Sequence, residues 1–263
     1  ARMREILLTH YGLSRLPFGK DIDEKNIFHT EELTRTAAML ELGIESEDVM
    51  LLSGPIGCGK SLIIRHGLAG LDTNRYQPIY LRGNICGEGE LVKALLRGMK
   101  IEPPHSLGKA KPAFFSAVEE NSRKPVVVLD DAQDIAEEAL VSIKALTNFE
   151  SDSRNRITFI LTGQPELRTL LSYSHFDSLR ARIRLSHHLS PMSLEESGTY
   201  IDHGLEVAHR KEKLFSDAAK MEIFKRTNGI ARQINRICYN AIVSGTIQGK
   251  NLIDSSDLPL DEL

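Results

Sequence analysis

The sequence contains no tryptophan, and aromatic residues make up only 6% of its 263 residues. It therefore offers no stacking platform for single-stranded nucleic acid. Cysteine is scarce as well: Cys58, Cys86 and Cys238 lie far apart and form no CxxC pair. This spacing argues against a zinc site and against a disulfide framework, so we interpret all three as reduced thiols.

Long apolar runs are also missing. No run approaches the roughly 20 residues that span a bilayer, and the first residues lack the apolar core of a signal peptide. These absences predict a cytoplasmic protein with no membrane segment. The formal net charge is −3. A single subunit is therefore no generic polycation, and any binding of nucleic acid would require a local basic patch.

The middle of the chain alternates short apolar segments with segments of helical periodicity. Strands are predicted at residues 49–52, 78–81, 126–129, 157–161 and 185–189. Helices are predicted at residues 60–68, 90–99, 113–120 and 136–149. Near-continuous apolar strands that are separated by helices indicate a parallel sheet covered on both faces.

After residue 191 the pattern becomes purely helical. Ser193 and Glu196 have the spacing of a capping box. Helices are predicted at residues 200–207, 217–226 and 231–243. The chain is therefore predicted to contain a leader packed on the core (residues 1–48), an α/β domain (49–191) and a small helical domain (192–263).

One glycine-rich segment, the phosphate loop, fits G-x-x-x-x-G-K-[ST] between a predicted strand and a predicted helix. It reads Gly54-Pro55-Ile56-Gly57-Cys58-Gly59-Lys60-Ser61. Glycines let the backbone curl so that its N–H groups point at phosphate oxygens, and the following helix adds its positive N-terminal dipole. Lys60 is predicted to reach the β and γ phosphates, and Ser61 to ligate Mg²⁺. The segment predicts a site for a magnesium nucleotide, with ATP as the expected nucleotide.

A second motif is the apolar run at residues 126–129, which is followed by Asp130 and Asp131. An apolar strand that ends in acids has the form of a Walker B segment. Asp130 is therefore predicted to hold the Mg²⁺ shell, and Asp131 to orient the attacking water.

With both motifs in place, the chain resembles the AAA+ ATPases of the ExeA (general secretion protein A) group. It is similar also to the MuB, TnsC and IstB-type ATPases of transposition. The matching segments are Tyr11-Gly12-Leu13, Pro17-Phe18, the two Walker motifs with Asp131-Ala132-Gln133, and residues 161–167, 179–183, 189–193 and 228–235. The resemblance implies a P-loop AAA+ fold, in which the α/β domain binds nucleotide and the helical domain is a lid.

The resemblance also implies roles for single residues. Thr162 would sense the γ-phosphate or the attacking water, and Arg232 would contact the nucleotide from the lid. Arg182 would complete the site of a neighbouring subunit, with Arg180 and Arg184 as alternatives. A guanidinium suits such roles because it offers bidentate donors to phosphoryl oxygens.

One residue departs from the family pattern. The family usually has Glu where this sequence has Asp131. The shorter side chain places its carboxylate roughly 1.5 Å farther from the water, and a displacement of about 1 Å can cost on the order of 100-fold in rate. Nucleotide binding is expected to survive this change, whereas efficient hydrolysis is in question. The pair His187-His188 has no matching ligand spacing and is interpreted as packed or exposed.

Three functions remain open. The first is an ATP-dependent regulator of transposition, which forms a ring or helical filament with itself on duplex DNA and recruits a transposase. The second is a secretion or envelope-assembly ATPase. Members of that type usually continue into a membrane helix and a peptidoglycan-binding domain, and the sequence ends at Leu263 with neither, which favours the first function. The third is a nucleotide switch or scaffold that does not touch DNA.

Candidate DNA contacts lie after the second predicted strand and before the third. Relatives that encircle DNA place loops from these positions in the central channel. Backbone phosphates require only cations and small donors rather than base-reading geometry. The candidates are Arg82, Asn84, Lys100, Lys109 and Lys111, with His105 and Ser106 in the same cluster.

Overall fold

The computed structural model describes residues 2–19, 23–149 and 156–260. The chain divides into two compact units. The sheet unit consists of Glu32–Pro55 and Lys60–Leu189, and the helical unit consists of Ala1–Glu31, Ile56–Gly59 and Ser190–Leu263. Parts of the three predicted segments lie outside the described residues, namely residues 1 and 20–22 of segment 1–48, residues 150–155 of segment 49–191 and residues 261–263 of segment 192–263.

The sheet unit is built on a parallel sheet that has five strands within the described residues. The strands are β1 (Val49–Ser53), β2 (Tyr76–Arg82), β3 (Lys124–Asp130), β4 (Thr158–Gly163) and β5 (Ile183–His188). Their order across the sheet is β2-β3-β4-β1-β5. All five strands predicted from the sequence are confirmed, with bounds that differ by a few residues.

The described helices alternate with these strands and then continue alone. They are α1 (Arg2–Tyr11), α2 (Glu31–Glu45), α3 (Lys60–Ala69), α4 (Glu88–Gly98), α5 (Leu107–Glu120), α6 (Glu137–Leu146), α7 (Pro165–Leu171), α8 (Asp177–Arg180), α9 (Leu194–Val207), α10 (Asp217–Thr227) and α11 (Ala231–Gln248). None of the helices in the described part of the chain is both long and apolar enough to cross a bilayer.

Helices cover both faces of the sheet. Val49 and Leu51 of β1 belong to a buried cluster that also contains side chains of α4, α5 and α6. Met50 points to the other face, where its sulfur lies so close to Gly43 of α2 that a Cβ at residue 43 would come within 2.1 Å of it. Because both faces are covered, β1 is buried along its whole length, which explains its continuous apolar sequence.

Helix α5 begins earlier than the sequence indicates. The sequence predicts a helix at residues 113–120, but α5 starts at Leu107 and contains Pro112. A proline inside a helix removes the donor to the carbonyl four residues earlier. That carbonyl belongs to Gly108, which is exposed, so water can satisfy it. Pro112 therefore does not interrupt α5. Lys109 and Lys111 consequently lie on a helix rather than in a loop.

The N-terminal segment is divided differently from the predicted leader. Residues up to Glu31 belong to the helical unit, whereas most of α2 belongs to the sheet unit. Leu7 and Tyr11 of α1 are buried in one cluster with residues of α9, α10 and α11. The Phe18 ring lies against Gly204 of α9, where a Cβ would come within 2.6 Å of it. Phe18 therefore anchors the turn at Pro17-Phe18 within the helical unit.

Helix α9 starts with the capping box that the sequence predicts. The Glu196 backbone N–H donates to Ser193 Oγ at 3.1 Å, and the Ser193 backbone N–H donates to Glu196 Oε2 at 2.9 Å. Two donors that a helix start leaves without intrahelical partners are thus satisfied reciprocally.

Gly229, between α10 and α11, provides a test of packing in the helical unit. Its φ is +76°, and a Cβ there would lie 1.9 Å from the Met192 carbonyl oxygen. We expect Gly229→Ala to lower the free energy of unfolding by on the order of 3 kcal/mol, because a left-handed backbone and a backbone clash act together. Urea denaturation followed by circular dichroism measures this change.

The matched control is Gly198→Ala inside α9, where the nearest heavy atom to an added Cβ is Lys220 Cδ at 3.9 Å. This substitution is expected to raise stability by roughly 0.5–1 kcal/mol, because alanine favours a helix interior. Equal losses in both variants would contradict the proposed role of Gly229.

Candidate active site

The phosphate loop connects β1 to α3, which is the strand–loop–helix setting that the motif requires. Gly57 and Gly59 have φ values of +82° and +99°, so the curl of the loop depends on residues without a Cβ. The Lys60 Nζ donates to the Gly54 carbonyl at 2.7 Å and to the Pro55 carbonyl at 3.0 Å. The ammonium group therefore lies against the start of its own loop.

The sheet register places Thr162 between the two Walker motifs. On one side Thr162 pairs with Leu52 of β1, shortly before the phosphate loop. On the other side Leu161 pairs with Leu129, so Asp130 is level with Thr162. Neighbouring strands are about 4.8 Å apart. The ends of three adjacent strands thus bring the phosphate loop, Thr162 and the acids to one edge of the sheet.

The Thr162 hydroxyl is buried between the strands that carry the two Walker motifs. Its side chain is fully buried, and its Oγ1 has no hydrogen-bond partner among the described residues. A buried hydroxyl without a partner costs about 1–3 kcal/mol. Thr36 and Ser197 are also buried without a partner among the described residues. Thr162 differs from them because it lies level with Asp130 at the end of the strands, where a substrate could supply the partner.

The two acids follow one another at the end of β3. Asp131 has a left-handed backbone (φ 50°, ψ 48°), and its N–H donates to Asp130 Oδ1 at 3.1 Å. Arg82, at the end of the neighbouring β2, places Nη2 3.3 Å from Asp130 Oδ2 and Nε 3.8 Å from Asp131 Oδ2. This predicted DNA contact therefore faces the Walker B acids, although 76% of its side chain is exposed.

The hard oxygen ligands that Mg²⁺ prefers are present at this edge of the sheet. Ser61 directly follows Lys60 of the phosphate loop. Asp130 is the last residue of β3, which pairs with β4, the strand that contains Thr162. The partnerless Thr162 hydroxyl also fits a site that a phosphate group or water completes. These residues would hold Mg²⁺ as the sequence predicts.

Arg180 and Arg184, the alternatives to Arg182 as arginine finger, both contact residues of the sheet unit. Arg180 donates to the Leu171 carbonyl at 2.8 Å and pairs with Asp177. Arg184 lies 3.7 Å from the buried carboxylate of Asp48. Burial raises the pKa of Asp48, and the Arg184 charge partly offsets that rise. Arg182 lies directly before β5 and stays the predicted finger.

Arg232 lies in the first turn of α11, within the helical unit, which also includes residues 56–59. Its backbone N–H donates to the Gly57 carbonyl at 3.1 Å, and a Cβ at Gly57 would come within 2.6 Å of the Arg232 Cβ. The Arg232 side chain itself is exposed. Its contact with nucleotide stays a prediction.

The structure brings only some of the candidate DNA contacts together. Lys111 pairs with Glu88 at the start of α4, and a Cβ at Gly89 would lie 3.9 Å from Leu107 at the start of α5. Helices α4 and α5 therefore begin side by side. Lys109 is exposed on the first turn of α5. Asn84, also exposed, lies between β2 and α4 at this same edge of the sheet.

Lys100 lies elsewhere. It follows the end of α4, where the Gly98 carbonyl accepts a hydrogen bond of 3.4 Å from Gln77 Nε2 near the start of β2. Because β2 runs from this edge to the one that carries Arg82, Lys100 lies at the opposite edge. One subunit therefore does not present Lys100 together with Lys109 and Lys111.

The histidine pair on β5 makes polar contacts with side chains. His187 Nε2 lies 2.8 Å from Glu32 Oε1, and His188 Nδ1 lies 2.9 Å from Ser53 Oγ. Both contacts join β5 to neighbouring parts of the sheet unit, which agrees with a packing role.

Part of the chain is similar to a known family, and its fold is similar to that of solved structures. Residues 44–171 match the family described as AAA domain. The fold is the P-loop AAA+ fold. The Cdc6p protein of Pyrobaculum aerophilum superposes with a TM-score of 0.71 and 18% identity, over 90% of this chain and 67% of that one. The RuvB branch migration motor of Thermotoga maritima superposes with a TM-score of 0.60 and 17% identity, over 87% of this chain and 67% of that one.

A curated relative covers nearly the whole chain. General secretion pathway protein A of Aeromonas hydrophila is 27% identical over 258 residues, which is 95% of this chain. The chain spans 47% of the length of that relative. The chain is therefore similar to slightly less than half of that relative, and the activity of the whole relative is not carried over to it.

Proposed function

We propose that this chain binds Mg-ATP at the phosphate loop and hydrolyses it, using Asp131 to orient the water. The observation that carries this proposal is the meeting of three features on adjacent strand ends. These are the phosphate loop after β1, the partnerless Thr162 hydroxyl on β4 and the acid pair after β3. Titration calorimetry with Mg-ATP, on the wild type and on Lys60→Ala, tests it.

Each residue would have a defined task. Ser61 and Asp130 would hold Mg²⁺, which would neutralise charge on the phosphate oxygens. Lys60 would bind the β and γ phosphates, and Asp131 would orient the attacking water. The Thr162 hydroxyl would donate to the γ-phosphate or to that water, which would end its lack of a partner. Arg232 would contact the nucleotide as well.

For the cellular role, we favour an ATPase component of a secretion or envelope-assembly system. The support is the 27% identity to General secretion pathway protein A over 95% of this chain. Duplex DNA binding by an oligomer, in a regulator of transposition that recruits a transposase, is the second candidate. It is supported by the exposed cation Lys109 and by Asn84, which share one edge of the sheet unit.

The DNA candidate predicts nucleotide-dependent binding of duplex DNA with little sequence preference. With a slowly hydrolysed ATP analogue, the double variant Lys109→Ala/Lys111→Ala should bind all sequences more weakly. For each DNA phosphate that these lysines no longer neutralise, the slope of log affinity against log salt should flatten by roughly 0.9. Fluorescence anisotropy across a salt series measures both effects.

Lys100→Ala is the matched control, because Lys100 lies at the opposite edge of the sheet. It should bind DNA like the wild type if the edge that carries Lys109 forms the contact. If the wild type shows no nucleotide-dependent binding at low salt, the DNA candidate fails, and the secretion role and the nucleotide switch without DNA binding remain.

Self-assembly gives a further prediction. Arg182→Ala should weaken ATP-driven oligomers while changing the Kd for nucleotide in the monomer by less than about threefold, since a finger acts on the neighbouring site. Sedimentation velocity with and without nucleotide measures assembly. Arg184→Ala is the control, because Arg184 pairs with Asp48 of its own sheet unit. Normal assembly and turnover by Arg182→Ala would remove this residue as the finger.

A further inference from the structure

Gln133 follows the acid pair, in the short 3-10 helix Ala132–Asp134, and it contacts two functional segments. Its Oε1 accepts a hydrogen bond of 3.2 Å from the backbone N–H of Gln164, directly after β4. Its Nε2 lies 3.5 Å from Asp131 Oδ1 and 3.4 Å from Asp134 Oδ2. One side-chain amide thus joins Asp131 to the segment that carries Thr162.

Chemistry fixes which way this amide points. The Gln164 backbone N–H can only donate, so the oxygen of the Gln133 amide must face it. The NH₂ group then faces the carboxylates, which can only accept when they are ionised. Both contacts therefore agree on a single orientation, and exchanging the oxygen and nitrogen would break both.

The Gln133 amide occupies space that is free because Gly163 has no side chain. Gly163 is buried at the end of β4, and a Cβ there would come within 2.3 Å of Gln133 Oε1 and 2.8 Å of Leu167 Cδ2. Its backbone is not left-handed, so the glycine is required by this close approach rather than by its φ. The residue after Thr162 is thus fitted to the Gln133 side chain.

The Asp131 carboxylate is approached from two sides. Its Oδ1 faces Gln133 Nε2, and its Oδ2 faces Arg82 Nε at 3.8 Å. Both distances are long for hydrogen bonds. Catalytic hydrogen bonds are commonly long before substrate binds and shorten in the substrate complex. Once shortened, the two contacts would limit rotation of a carboxylate whose position relative to the water decides the rate.

We propose that Gln133 is a positioning residue for ATP hydrolysis, which holds the Asp131 carboxylate in register with the Thr162-Gly163-Gln164 segment. This inference rests on the proposed hydrolysis of ATP with Asp131 as the group that orients the water. Gln133 itself does not touch the nucleotide in this scheme. Its effect is to make the acid and the Thr162 hydroxyl move as one unit.

The test compares turnover with nucleotide affinity in the full chain. Gln133→Ala and Gln133→Glu should each lower kcat by about 10- to 100-fold, while the calorimetric Kd for Mg-ATP changes by less than about threefold. Glutamate keeps the oxygen that accepts from Gln164 but places a second negative group beside Asp131. Gly163→Ala should lower kcat similarly, because the added Cβ displaces the Gln133 amide.

Gln248→Ala is the matched control. It makes the same truncation at an exposed glutamine of α11, whose side chain donates to Ser244 and not to the acid pair. It should keep kcat within about twofold of the wild type, as expected for a surface position. Thermal unfolding of every variant separates misfolding from positioning, and the charge-altering Gln133→Glu variant serves if Gln133→Ala does not fold.

Single-turnover rates in an Asp131→Asn background provide a second readout. If Gln133 acts through Asp131, adding Gln133→Ala should cause no further loss, since residues that act as a unit are not additive. The inference about Gln133 is overturned if Gln133→Ala causes its full additional loss in the Asp131→Asn background, or if the single variants have unchanged kcat. In either case, turnover by the wild type still supports the proposed function. A wild type without turnover overturns the proposed function and this inference together.

Discussion

Lys60→Ala is expected to raise the Kd for Mg-ATP by about 100-fold or more. Lys60 is the only cation among the eight residues of the phosphate loop, and its ammonium lies against the Gly54 and Pro55 carbonyls. Removing one partner of a charge-assisted contact to phosphate costs on the order of 3 kcal/mol, which corresponds to that change in Kd. Titration calorimetry at constant Mg²⁺ concentration measures it.

Lys144→Ala on the exposed side of α6 is the control, because it removes the same charge away from the phosphate loop. It should bind Mg-ATP like the wild type. Thermal unfolding of Lys60→Ala checks that the loop variant is folded. A folded Lys60→Ala protein with unchanged affinity would show that the phosphate loop is not the nucleotide site.

Asp131→Asn is expected to lower turnover by about 100-fold or more while keeping the Kd for Mg-ATP within about threefold. Asparagine has nearly the same shape and tolerates the left-handed backbone at φ 50°, but it cannot accept a proton from the water. The variant should therefore accumulate an ATP-bound state. Steady-state phosphate release and calorimetry on the same sample measure both quantities.

Asp131→Glu tests whether the reach of the side chain limits turnover. The longer side chain brings its carboxylate roughly 1.5 Å closer to the water, so turnover should rise. Glutamate suits a left-handed backbone less well than aspartate, so we also expect a loss of about 1 kcal/mol in stability. If neither substitution at residue 131 changes turnover, another group orients the water.

Local signals sufficed for much of the fold and for the core of the candidate site. The phosphate loop, the strand before Asp130 and the capping box at Ser193 depend on neighbouring residues in the sequence, so their patterns could be recognised directly. The order of the strands depends on contacts between distant residues. No local pattern shows that β4 lies between β1 and β3, which is what places Thr162 beside Asp130.

Other features depend on solvent exposure or on contacts between distant residues, which the sequence does not show. Helical periodicity predicts a start at residue 113, whereas α5 begins at Leu107 and includes Pro112, because Gly108 four residues earlier is exposed to water. Lys100 and Lys109 are close in sequence and share one predicted cluster, although they lie at opposite edges of the sheet. Gln133 belongs to a recognised motif, but its partner Gln164 is 31 residues away.

The side-by-side start of α4 and α5 limits how the connection between them can change in length. Ile101 N–H still bonds to the Leu96 carbonyl at the end of α4, so the return to the start of α5 falls to residues 102–106. Helix α4 has 11 residues and is about 16 Å long. Five residues in the extended form favoured by Pro103 and Pro104 reach roughly 16 Å. Relatives could therefore insert residues here, whereas a deletion would unwind the first turn of α5 and displace its lysines.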